Sequence, residues 1–182
     1  MAKERNERVQ EMLTCITQLP KQIVTLHGRE NMTEFLLHTL CLSDCFNLSK
    51  AAYFIDNPDF DHLKGISGYH KNESYSSGTT LGHWEKPEQF TDHMQRSLFN
   101  QTVRSINLSS IRRGSQDHAK DYGKVADQLS SQLDLSHVSF LSWPIKHDNH
   151  GFLVFESPAD ESAVIQEYLM SAVYLFGFCP VF

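Results

Sequence analysis

The stretch VSFLSWPIKHDNHGFLVFE, residues 138–156, constrains the fold more than any other in the chain. Its two apolar runs flank a short polar break, which reads as a β-hairpin. In the first run Val138 and Phe140 point one way while Leu141, Trp143 and Ile145 point the other. In the second, Phe152 and Val154 oppose Leu153 and Phe155. Strands that are apolar on both faces must be covered on both faces, so the hairpin is expected in the central part of one sheet, with helices on each side. Asn149 and Gly151 read as the residues that tolerate the positive φ of a tight connection. Pro144 has no amide hydrogen to give to a ladder, so its position must face an edge or a bulge.

The remaining periodicities supply the partners. Val9, Met12, Leu13 and Ile16 recur at helical spacing in residues 4–18, and Pro20 is expected to end that helix. A second helix is expected from Asn31, with Glu34 completing a capping box. AAYFI (51–55), the turn DNPDFD and HLKGISGYH (62–70) read as a first hairpin, and residues 71–86 as a polar loop. Helices are expected from Pro87 to about Val103, from about Ala119 to Leu133, and from about 160 to 176, with a loop at NLSSIRRGSQD. Helices and two hairpins in this order predict an α+β fold, a central antiparallel sheet with helices packed on its faces. The length fits a single domain over 1–182, in which the 1–20 helix is a candidate dimerisation element.

Charge excludes some classes of function. A net charge of −6, with no cluster of Lys and Arg beyond Arg112, Arg113, Lys120 and Lys124, argues against nucleic-acid and anionic-membrane surfaces. The charged N-terminus has no apolar core of a leader, and no window is long and apolar enough for a membrane helix. Four cysteines in a chain of this length do not read as a disulfide framework, so a reduced, cytoplasmic protein is expected.

EFLLHTLCLSDCFNLSKAAYFIDNPDFDHLKGISGYH and VSFLSWPIKHDNHGFLVFESPADESAVIQEYLMSAV together resemble the GAF domain family of sensory modules. The Ser142-Trp143-Pro144-Ile145 and Gly151-Phe152-Leu153-Val154 steps carry most of the resemblance, which spans roughly 31–176. The residues that mark that family's cyclic-nucleotide and chromophore branches are absent, so no cofactor is named. The resemblance implies a small-molecule pocket between the sheet and its covering elements, with Tyr53, Ile55, Trp84, Phe140, Ser142 and Phe152 as lining residues. It also implies a stand-alone sensory or regulatory module without catalytic activity, acting on a separate output protein because no output domain is in view.

Other chemistries stay open beside it. Glu34, His38, Cys41 and Cys45 are spaced i, i+4, i+7, i+11, one stripe of a helix over 30–46 and a candidate metal or redox site; helix packing is the competing reading. HDNH (147–150) reads as a polar turn before a metal site. DNPDFD (56–61) lacks the ligand spacing and glycine of a calcium loop. His83, His93 or a cysteine beside the pocket would serve a small enzyme, and a pocket filled by its own Phe and Trp side chains would make a structural protein. The apolar last helix and the GFCPVF tail predict a homodimer through the terminal helices; mutual cover of those helices within one chain is the alternative.

Overall fold

β1 (Lys50–Asn57) and β5 (His150–Glu156) lie side by side in the middle of a single antiparallel sheet, paired from Lys50 opposite Glu156 to Asp56 opposite His150. The computed structural model describes residues 2–26, 29–73, 87–112, 118–158 and 162–179. β2 (His62–His70) and the short β3 (Asn107–Leu108) continue the sheet beyond β1, and β4 (Val138–Pro144) closes the other side, giving the order β3-β2-β1-β5-β4. Directly paired residues share a face, so Tyr53, Leu153 and Leu141 form one side and Phe54, Phe152 and Ser142 the other.

Each side builds its own core. On the Tyr53 side the sheet is covered by α1 (Ala2–Thr25), α2 (Met32–Cys41), α3 (Pro87–Arg96) and α6 (Ser162–Val173). On the Phe54 side it is covered by α4 (Leu98–Ser105) and α5 (His118–Leu133), through Val103, Tyr122, Ala126 and Leu129. α4 lies so close that a Cβ on Gly65 would fall 1.8 Å from the Val103 carbonyl oxygen. Only glycine fits there. Asp56, fully buried, ties this side together by accepting hydrogen bonds from Ser110 Oγ (2.6 Å), Ile111 N (3.2 Å) and Tyr122 Oη (2.9 Å).

The α+β reading holds, with corrections in detail. β4 is an edge strand among the described residues, so the hairpin is only half central; Pro144 sits at its last position, where an edge tolerates it. The positive φ of the connection falls on His147 (59°) and Asp148 (55°), not on Asn149 or Gly151. A two-residue turn of the primed type places both central residues there. α1 runs through Pro20, because burial of Leu19 before it and Ile23 beyond it outweighs a proline penalty of about 3 kcal/mol. No capping box forms at α2: Asn31 gives its Nδ2 to Thr91 Oγ1 (2.8 Å), and Glu34 is ion-paired to Arg104. The helix expected from Pro87 to Val103 is two helices, broken at Ser97, whose side chain caps α4 by accepting from Asn100 N. Glu73 reinforces the break, accepting from Ser97 Oγ, Leu98 N and Phe99 N. The last helix stops at Val173 and tightens into a 3-10 turn, Tyr174–Phe178.

The cysteines require the largest correction. Cys15 of α1 is disulfide-bonded to Cys45, just past α2, with 5.4 Å between their Cα atoms; only Cys41 and Cys179 are free thiols. Arg8 supports the same junction by donating to the Ser43 carbonyl (2.8 Å). The terminal helices also meet within the chain, where Met12, Leu19 and Ile23 join Ile165, Leu169 and Val173 in one core. That contact leaves half-exposed Leu13 and exposed Val24 as the apolar remainder of α1.

The disulfide closes a loop of 30 residues, so Cys15→Ser should lower stability by about 3–4 kcal/mol in denaturant unfolding. Disulfides persist in oxidising compartments and are broken in the cytoplasm. Alkylation of the denatured chain, with thiols blocked at the moment of lysis, should count two reactive thiols; four would mean that the bond is absent in the cell.

Candidate functional site

The Tyr53 side of the sheet is not completely filled. A cavity of about 500 Å³ opens between the sheet and the 3-10 turn at the C-terminal end. Its floor is aromatic: Tyr53 is stacked parallel to Trp143 (centroids 5.7 Å, planes 14° apart), and Phe176 leans on both at 4.6 and 6.0 Å. Trp143 can lie flat because its neighbour on β5 is Gly151, where a Cβ would come within 2.4 Å of the indole carbons. Ile55 and Ile66 extend the floor, and Gly177, Phe178 and Cys179 form the roof. Gly177 is exposed, and a Cβ there would meet nothing within 4 Å.

The polar groups around the cavity are few. Trp143 Nε1 and Asn149 Oδ1 are buried without a hydrogen-bond partner. Lys64, Lys146, His62 and His147 stand among the lining residues, and among the described residues no carboxylate does. Lys64 reaches this side through a bulge in β2. Tyr53 pairs with Ser67 and Phe54 with Gly65, which leaves Ile66 unpaired and brings Lys64 opposite Ile55.

A second cavity of about 550 Å³ adjoins the first, sharing Lys64 and Ile66, and its character is polar. Glu34, Asn100 and Arg104 line it, with Arg104 Nη1 3.6 Å from the Glu34 carboxylate. Burial raises the Glu34 pKa above its ordinary range, against the opposing pull of a backbone hydrogen bond, Arg104 and Asn100. Asn100 is itself held, donating to the Met94 carbonyl (3.0 Å) and accepting from Gly68 N (2.9 Å).

Of the six residues expected to line a pocket, Tyr53 and Ile55 line the apolar cavity. Phe140, Ser142 and Phe152 lie on the opposite face, where Phe152 packs between Tyr122 (4.9 Å), Phe140 (5.9 Å) and Phe54 (6.2 Å). The expected set therefore combined two faces. Trp84 and His83 fall outside the described residues.

The metal stripe is also dispersed. α2 ends at Cys41, so Cys45 is off the helix, and its sulfur is committed to Cys15. Every α2 residue is buried within the chain, His38 edge-on against Tyr69 and Phe90. Among the described residues no group of three or more His, Cys, Asp and Glu could hold a metal ion. Burial pushes the Cys41 thiol far up and Cys179 up to about 12, so neither is an activated nucleophile. His93 is partly buried, and burial lowers its pKa.

Sequence reasoning missed the roof and the lysine. The roof was in the apolar GFC of the tail, read as dimer surface; the bulge that turns Lys64 has its signal in Gly65. Comparison with family models, with curated proteins and with solved structures finds no match. No helix of the described residues is long and apolar enough to cross a membrane.

Because the folded-state pKa of Glu34 is raised, the native chain holds that proton more tightly than the unfolded chain. The resulting stability is complete below the ordinary value of 4.5 and is lost as pH rises through the folded value. Glu34→Gln should therefore gain on the wild type in urea unfolding between about pH 4 and pH 8. A constant difference across that range would mean that the carboxyl is not desolvated.

Proposed function

We propose that the chain is a small-molecule-binding module of regulatory type, GAF-like in its arrangement and without catalytic activity, whose ligand lies on the Tyr53–Trp143–Phe176 floor. The observation that carries this reading is the contrast between the two faces of one sheet. The Phe54 face is closed by its own aromatic side chains. The Tyr53 face keeps a mostly apolar hollow with a few polar groups, the usual make-up of a small-molecule site. The two adjacent antiparallel hairpins, β1–β2 and β4–β5, support the GAF-like part. High thiol pKa values favour binding over nucleophilic chemistry.

A second reading has one observation in its favour. Glu34, with its raised pKa in a polar cavity, has the character of a general acid. A homodimer through the outer face of α1 is compatible with either, and sedimentation equilibrium distinguishes it from a monomer of 20.9 kDa.

Gly177→Phe tests the binding reading, since Gly177 lines the hollow and a side chain there has open space around it. Native mass spectrometry of protein purified under mild conditions should find a small molecule on the wild type, and none on the variant. The same adduct on both would place it outside this cavity. A wild type that stays empty and shows no thermal shift in a fragment screen would remove the proposal.

A further inference from the structure

We infer that the ligand is a flat apolar molecule bearing one negative charge, of the aromatic carboxylate class, with its ring on the Tyr53–Trp143–Phe176 floor and its charge at Lys64. This rests on the proposed function and adds to it the chemistry of the ligand. The chain carries 22 Asp and Glu against 16 Lys and Arg. A cavity drawn evenly from such a sequence would be lined by more acids than bases. Among the described residues, this one is lined by two lysines and two histidines and no carboxylate. Neither Lys64 nor Lys146 has a carboxylate partner among the described residues. An ammonium beside an apolar hollow is attracted to a counter-charge more strongly than one in open water.

Lys64 is the better placed of the two. Lys146 lies next to the β4–β5 turn, whereas Lys64 belongs to a strand and is brought to this face by the Ile66 bulge. Its other neighbour cavity holds Glu34, which is turned to Arg104 instead. The floor specifies the rest of the molecule. Tyr53, Trp143 and Phe176 make the lining aromatic, which suits an aromatic ligand. The same aromatic floor would suit an organic cation, but two lysines without a carboxylate would repel one.

The test uses two probes of one shape, 2-naphthoate and its uncharged isostere 2-naphthamide, titrated calorimetrically into the intact protein. The wild type should bind the carboxylate at least about tenfold more tightly, the value of one charge-assisted hydrogen bond. Lys64→Gln should bring naphthoate down to the amide's affinity and leave the amide unchanged, while Gly177→Phe should lose both. Equal wild-type affinities, or a naphthoate preference that survives Lys64→Gln, would overturn the anionic class and leave the cavity reading standing, provided Gly177→Phe still loses both probes. Absence of binding by either probe, or binding by both that Gly177→Phe leaves intact, would reject the cavity as the site and this inference with it.

Discussion

The pairing of β1 with β5 is the constraint on which the other features depend. Both strands are apolar on both faces, so neither face can be left to water, and the chain must supply two separate covers. The Phe54 side has large rings at its centre, and a single long helix with the short α4 suffices to close it. The Tyr53 side is wider, since α1, α2, α3 and α6 share it. Four elements meeting over one surface leave a seam. That seam opens where α6 stops and a 3-10 turn with an unfilled glycine replaces it.

Glycine acts in opposite ways on the two faces. At Gly65 the missing Cβ admits a helix backbone, which fills space. At Gly151 it admits the Trp143 indole, which then lies flat along the sheet instead of standing into the hollow above. The second arrangement creates a floor. A side chain at 151 would displace the indole, and the cavity would then close with the protein's own aromatic, as the opposite face does with Phe152.

The fold was legible in the sequence where one physical demand was dominant. β2 and the two-sided hairpin came from alternation and apolar faces, and α5 from its helical stripe. What failed was set by partners distant in the chain. Pro20 continues a helix because Leu19 and Ile23 find a core, which local propensity does not encode. Cys45 is removed from the metal stripe by Cys15, thirty residues earlier, once α1 crosses the end of α2. In the candidate site, Tyr53 and Ile55 were legible as inward residues of an apolar strand. Grouping them with Phe140 and Phe152 failed because alternation gives two faces without saying which face of one strand matches which of the next; that is a matter of register.

Register is also where the fold and the site become one problem. Were the Tyr53–Ser67 register continued without a bulge, Phe54 would sit opposite Ile66, whose side chain would meet α4 where only Gly65 now fits. Lys64 would sit opposite Asp56, on the closed side of the sheet. The bulge moves both by one position. Gly65 comes under the Val103 carbonyl, so α4 can dock, and Lys64 comes opposite Ile55, beside the aromatic floor. The inserted residue that lets one face close thus also gives the open face its positive charge. A chain that lost the bulge would lose the docking of α4 and the lysine of the cavity together.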